Sequence, residues 1–174
     1  MRVRILLLLL LGGCVGNTTL NTPGDSFTLY LVRHAEKQTD DGSDPGLTDE
    51  GKYRSEQLAT WFQDKDIKDI WSSDYRRSRD TAGPLLARTG LELRLYDPRH
   101  LPVLVEDLLE NRRNALVVGH SNTTPELARL LCQCVIADME DSEYDRLIVV
   151  SISAKEVRVE TLTHNTQLPI PAGS

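Results

Sequence analysis

A three-layer α/β/α sandwich with a mostly parallel central sheet is the fold class predicted by three features of this sequence. Short β-prone runs alternate along the chain with stretches of helical period, the order that builds parallel sheets through crossover helices. Two of those runs, Phe27 to Val32 and Ala115 to Gly119, contain no charged residue, as expected of strands covered on both faces. The 174 residues, 40% hydrophobic and 26% charged, suit one globular domain with an ordinary core.

The first residues stand outside that domain. Arg2 and Arg4 precede an apolar stretch, Ile5 to Leu11, that is too short to span a bilayer as a stable helix and therefore reads as an export signal. Leu11-Gly12-Gly13-Cys14 then resembles the bacterial lipobox, in which the cysteine thiol receives diacylglycerol and the chain is cut before it. Residues 1–13 are thus expected to be a lipoprotein signal peptide, with lipid on Cys14; an ordinary signal peptide or an uncleaved anchor is the alternative. Residues 14–26, rich in Asn, Thr, Gly and Pro, read as a tether with a reach of roughly 20 Å. Val15 in place of an acidic residue favours the periplasmic face of an outer membrane in a bacterial cell envelope. Losing Arg2 and Arg4 takes the formal charge from −6 to −8. Such a surface disfavours nucleic acid, so any attraction for phosphate must be local.

The domain is expected over 27–164, followed by an irregular tail, 165–174. Its first strand, Phe27 to Val32, ends at Arg33-His34. A helix should run from Thr48 to about Asp64, with Leu58, Trp61 and Phe62 on one face. A strand near Ile67 to Trp71 follows, then a helix from about Tyr75 to Arg88 whose Ala82, Leu85 and Leu86 share a face despite Pro84. Leu91 to Tyr96 reads as a strand and His100 to about Glu110 as a helix. After Ala115 to Gly119, Thr124 and Pro125 supply an N-cap and a first-turn proline for a helix striped by Leu127, Leu130, Leu131 and Cys134. Arg146 to Ser153 and Val157 to Leu162 read as a closing hairpin.

Ligands of such sheets bind beyond the carboxyl ends of the strands. Arg33-His34 and Gly119-His120 both fall at that edge, so two histidines distant in sequence should share one pocket. Three segments carry further information: Leu31-Val32-Arg33-His34-Ala35-Glu36-Lys37, the run from Ser72 to Ala82 with Arg77 and Thr81, and Val117-Val118-Gly119-His120-Ser121. Together they resemble the Arg-His-Ala/Gly-Glu, Ser-x-x-x-Arg-x-x-x-Thr-Ala and Gly-His-Ser motifs of the histidine phosphatase superfamily, also called phosphoglycerate-mutase-like. Leu47-Thr48-Asp49-Glu50-Gly51 resembles the helix start that follows the first motif, and the resemblance runs from about Phe27 to Leu162.

The resemblance implies a phosphohydrolase that forms a phosphohistidine on His34, with Arg33 and Arg77 clamping the phosphoryl group and His120 stabilising charge. Elementary chemistry agrees. A phosphoryl group in transfer spreads charge over its equatorial oxygens, which two guanidinium groups can bind bidentately, so no metal or other cofactor is needed. A proton donor for the leaving group is expected at Asp97, with an Asp-Pro turn as the plainer alternative. Ser121 and Asn122 are expected to line the pocket or to serve only the helix entry. His100 and His164 have no comparable context and read as structural. Cys132 and Cys134, expected within one helix, could not bridge each other without distortion, so a core thiol and a less buried one are expected.

Two other functions remain open at this point: a phosphoglycerate-mutase-type phosphotransferase, and an inactive module that binds an envelope partner. Short connections and export favour hydrolysis over the mutase, and the intact Arg33, His34, Arg77 and His120 speak against decay. The substrate, a phosphorylated small molecule or a phosphoprotein, depends on loops whose shape sequence does not display.

Overall fold

The computed structural model describes residues 26–39 and 42–163. Cys14 with its export segment, His164 and the tail therefore lie outside the described residues. The chain runs β1 (Ser26–Arg33), α1 (Asp49–Trp61), β2 (Asp69–Ser73), α2 (Arg76–Thr89), β3 (Leu93–Tyr96), α3 (Leu101–Asn111), β4 (Ala115–Gly119), α4 (Thr123–Cys132), β5 (Arg146–Ser153) and β6 (Val157–Thr163). The strands form one sheet in the order β3-β2-β4-β1-β5-β6. β3, β2, β4 and β1 pair in parallel, while β5 is antiparallel to both of its neighbours.

Alternation of side chains divides the core into two layers. Phe27, Leu29 and Leu31 of β1 join Ala115 and Val117 of β4 under Leu104 and Leu108 of α3 and Leu127 and Leu131 of α4. Val32 of β1 joins Leu116 and Val118 of β4 under Leu58 and Phe62 of α1 and Ala82 and Leu85 of α2. With helices on both faces, β1 and β4 need apolar side chains on both sides, which is why neither run alternates in sequence. The expected three-layer α/β/α sandwich with a mostly parallel sheet is the observed architecture.

The element ends differ from expectation for local reasons. β2 lies about two residues downstream, because Ser72 and Ser73 are fully buried in the strand rather than opening a loop. Their hydroxyls are satisfied internally, Ser72 Oγ donating to Ser73 O at 2.8 Å and Ser73 Oγ to Ser78 Oγ at 2.9 Å. Thr48 caps α1 as expected, its Oγ1 accepting from Gly51 N at 3.0 Å, but the helix ends at Trp61. Tyr75 stands outside α2 as its extended N-cap residue. α4 starts two residues earlier than expected, at Thr123 with Asn122 as its N-cap residue, so Thr124 and Pro125 fall inside its first turn.

The largest departure is at the end of α4. The chain leaves the helix at Cys132, Gln133 takes a left-handed φ of 53°, and the Cα atoms of Cys132 and Cys134 lie 5.1 Å apart, joined by a disulfide. This corrects the expectation of two separate thiols. Residues i and i+2 cannot meet inside a helix, but the left-handed residue between these two turns the backbone so that they do.

Gly51 marks the tightest approach between α1 and the segment after β1: a Cβ there would sit 2.3 Å from the carbonyl oxygen of Glu36. Gly51→Ala is expected to lower stability by about 1–3 kcal/mol through forced displacement of that segment. At Gly83, within α2, a Cβ would meet nothing within 4 Å, so Gly83→Ala should leave stability unchanged or raise it by up to about 1 kcal/mol. Urea denaturation midpoints of the pair check both signs.

Candidate active site

The sheet register places the site. Arg33 is paired with Gly119 at the ends of β1 and β4, and His34 N donates to Gly119 O at 2.9 Å, carrying the ladder one step past the strands. His34 and His120 consequently emerge side by side, their ring centroids 5.4 Å apart at 67°. A cleft of about 420 Å³ opens over them, lined among others by Arg33, Arg77, Ser121 and Asn122. Thus Arg33, His34, Arg77, His120, Ser121 and Asn122 are brought together from β1, α2 and the turn between β4 and α4.

His34 is 3% exposed, and its Nδ1 lies 2.7 Å from Ala35 O. A carbonyl oxygen can only accept, so Nδ1 carries the hydrogen and Nε2 keeps its lone pair. The segment beyond His34 is fixed at two points. Thr81 Oγ1 accepts from Ala35 N at 2.9 Å while donating to Arg77 O at 2.7 Å, which ties the second motif to the first. Glu36 is held by Arg54 of α1, whose Nε donates to both carboxylate oxygens at 2.8 and 2.9 Å.

Both arginines are held in place by their neighbours. Arg33 Nη1 donates to the carbonyls of Glu140, Asp141 and Glu143 at 3.1, 2.9 and 3.0 Å, and its guanidinium lies 4.0 Å from the centre of the Tyr144 ring. Arg77 stacks 4.4 Å from the Tyr75 ring centre and has Asp44 Oδ1 3.8 Å from Nη1. The Nε–H groups of Arg33 and Arg77 are nevertheless buried without a hydrogen-bond partner among the described residues. Buried donors of this kind are costly unless they meet an acceptor.

His120 is oriented by Ser73, whose Oγ is 3.0 Å from Nε2; Ser73 spends its own hydrogen on Ser78, so Nε2–H donates to it. Nδ1 of His120 then faces Arg77 Nη2 at 3.5 Å. Burial, with Arg77 and Arg33 adding to it, pulls His120 down to about 4. Burial chiefly pulls His34 down to about 3, the surrounding positive groups adding to it and the bond to Ala35 O opposing it. Both rings are neutral near pH 7. Lys37 and Arg99 add cations to the rim, against the single carboxylate Asp141 among the lining residues. The acidic chain therefore has a cationic cleft.

Asp97 is not brought into this cleft, which corrects its expected role as proton donor. It lines an adjoining depression, where Arg99 grips both carboxylate oxygens at 3.0 and 2.9 Å and His100 Nδ1 lies 3.2 Å away. Hydrogen bonds from the Arg99 side chain and backbone, with a smaller contribution from His100, hold its carboxyl well below the usual carboxylate range. It has no proton to give at neutral pH. Its Oδ1 also accepts from Arg99 N at 3.0 Å, the Asp-Pro turn of the plainer alternative. Residues that sequence reasoning did not assign are Ser73, Tyr75, Tyr144 and Asp141. The first two stand within the second motif and could have been found there; the others belong to a segment without period.

Both histidines titrate lower in the folded protein than at the ordinary value of about 6.5. As pH falls, the unfolded chain takes up these protons first, so stability is expected to decline from about pH 6.5 toward pH 4. His120→Asn should make that decline shallower, as read from urea midpoints across the range; an unchanged slope would show that the ring is not buried as described.

Residues 29–98 match the sequence model of the histidine phosphatase superfamily (branch 1), a stretch that contains Arg33, His34 and Arg77 and ends before His120. Over 64 residues the chain is 38% identical to 6-phosphofructo-2-kinase/fructose-2,6-bisphosphatase 4 of Rattus norvegicus and 36% to that of Homo sapiens. That stretch is 33% of this chain, and the chain spans only 14% of the length of either relative. Among solved structures, the protein histidine phosphatase SixA complexed with tungstate aligns at a TM-score of 0.64 and 17% identity, over 79% of this chain and 97% of that one. Mycobacterial glucosyl-3-phosphoglycerate phosphatase aligns at 0.63 and 18%, over 79% and 98%. The alpha-ribazole phosphatase of Shigella flexneri aligns at 0.64 and 16%, over 78% and 96%. These likenesses establish a phosphoglycerate-mutase-like fold, and over residues 29–98 the chain is similar to the histidine phosphatase superfamily, branch 1.

Proposed function

We propose that the protein is a metal-independent phosphohydrolase that works through a phosphohistidine on His34. The observation that carries this reading is a neutral imidazole with Nδ1–H committed to Ala35 O and Nε2 free, with Arg33, Arg77 and His120 lining the same cleft. In the first step Nε2 attacks phosphorus, the ester P–O bond breaks, and the alcohol leaves with the electron pair and takes a proton. The ring becomes cationic as the N–P bond forms, and the bond from Nδ1–H to Ala35 O strengthens. Water then attacks phosphorus, the N–P bond breaks, and inorganic phosphate departs.

Charge stabilisation falls to the residues already in place. The guanidinium groups meet the equatorial oxygens, supplying what a metal supplies elsewhere. His120 Nδ1 gains a proton as a phosphoryl dianion arrives beside it, and Ser73 keeps the ring in position. The carboxyl group of Asp141, the one acidic residue lining the cleft, replaces that of Asp97 as the proton donor to the leaving group, and its carboxylate takes a proton back from the attacking water. Hydrolysis, rather than return of the phosphate to an intermediate, accords with the phosphatase names of the relatives in the same fold. The substrate is a phosphorylated small molecule or a phosphoprotein. We further infer that Cys14 carries lipid and holds the domain at a bacterial envelope membrane, on the order of basic residues, apolar run and cysteine in 1–14.

Quenched turnover of a labelled phosphate ester is expected to leave an acid-labile, alkali-stable phosphoryl group on His34, absent in His34→Ala and indifferent to chelators. Label on another residue would overturn the mechanism. Arg33→Ala or Arg77→Ala should each lower turnover by about 10²-fold or more. Asp141→Asn should slow esters of poor leaving groups while Asp97→Asn does not; the reverse pattern would return the acid to Asp97. For the anchor, mass spectrometry of the mature amino terminus should find diacylglyceryl-modified Cys14, and an unmodified terminus elsewhere rules the lipoprotein out.

A further inference from the structure

The cleft continues past Tyr75. Tyr75, Pro98 and Arg99 wall both the cleft over His34 and a second depression of about 450 Å³ above Leu95. That depression in turn shares Leu95, Tyr96 and Asp97 with a third of about 270 Å³ that reaches Val103 on α3. The three make a trough that leaves the phosphoryl position, passes the end of the edge strand β3 and runs onto α3.

Its floor is unusual for this surface. Seven large apolar side chains are exposed among the described residues, and three of them, Tyr75 at 38%, Leu95 at 50% and Val103 at 57%, line this trough. Single exposed apolar residues need no explanation, but a run of them opening from a catalytic cleft marks a binding surface. The trough beyond Tyr75 lacks the surplus of cations found in the cleft. Asp74, Asp97 and Asp107 line it; Asp74 is paired with Arg79, and the one guanidinium among the lining residues, Arg99, is held by both oxygens of Asp97. A second phosphate or a carboxylate would find no available guanidinium there, whereas an uncharged apolar group would meet Leu95 and Val103.

We propose that this trough holds the leaving group, that the substrate is a phosphomonoester of an extended apolar alcohol without negative charge, and that Tyr75, Leu95 and Val103 determine this specificity. The inference rests on the phosphohydrolase reading and narrows its substrate class. The phosphoryl group passes to His34 Nε2, and the ester oxygen departs with its electron pair on the group lying along the trough. The apolar contacts act on binding and leave the bond-breaking step to the cleft.

A series of 4-alkylphenyl phosphates from methyl to hexyl, offered to the purified full-length chain, tests this, because the alkyl chain lengthens while the acidity of the phenol stays nearly constant. kcat/KM is expected to rise by up to about fourfold per methylene that becomes buried, and more than about tenfold from methyl to hexyl. A terminal carboxylate on a chain of the same length should cancel most of the gain. Leu95→Asp and Val103→Asp should flatten the rise, whereas Val157→Asp, at another exposed apolar position on β6, should leave its slope unchanged. A flat series in an enzyme that hydrolyses the methyl member by way of His34 overturns the trough and leaves the phosphohydrolase standing. No hydrolysis of any member, or hydrolysis undiminished in His34→Ala, overturns both.

Discussion

The pairing of β1 with β4 is the constraint on which the site depends. Those strands carry the two histidines, and only the register that sets Arg33 opposite Gly119 brings His34 and His120 out together. A slip of one residue would send Val32, Leu116 and Val118 to the wrong core layer, so packing on both faces enforces the alignment that chemistry needs. Gly119 adds a local reason. A Cβ there would come within 3.0 Å of the hydroxyls of Tyr96, Thr123 and Thr124, the groups that turn the chain from β4 into α4. Thr123 Oγ1 accepts from His120 N at 3.0 Å, so the turn that lacks room for a side chain also fixes the histidine.

Burial at the end of a packed sheet has a second consequence. Desolvation and two guanidinium groups keep both imidazoles neutral, the state that the proposed nucleophile His34 needs. The cations of the cleft are confined by their own supports, Tyr144 and three carbonyls for Arg33, Tyr75 and Asp44 for Arg77. A chain of net charge −6 can therefore attract an oxyanion at one place while repelling polyanions elsewhere.

What sequence displayed and what it hid follow from the range of the interactions. β1 and β4 were legible because burial on both faces leaves a continuous apolar signature, and Arg33, His34, Arg77 and His120 because each stands at a fixed offset from a strand or helix end. Ser72 and Ser73 fell outside the expected strand because side-chain satisfaction inside the protein leaves no trace in composition. Asp97 offered the right residue type near the right strand end, but its role is decided by Arg99, two residues on, whose grip turns it away from proton donation. The Cys132–Cys134 bridge depended on one left-handed residue, Gln133, that no periodicity announces.

The segment from Gln133 to Asp145 shows how much of an active site can rest on chain without regular structure. Its apolar residues follow neither a helical nor a strand period, yet it must present three carbonyls to a single nitrogen of Arg33. Arginines of the neighbouring elements supply the order that burial does not. Arg129 of α4 donates to Ile136 O at 3.0 Å through Nε and at 2.8 Å through Nη2, and Arg146 of β5 donates to Ala137 O at 2.8 Å and Asp138 O at 3.0 Å. The disulfide closes the segment where it leaves α4, and Arg146 with Glu143 closes it where it enters β5. Arg33 is thus aimed by backbone oxygens whose positions are set by two other arginines. The phosphate clamp is only as rigid as that chain of hydrogen bonds, although none of its outer members touches the cleft.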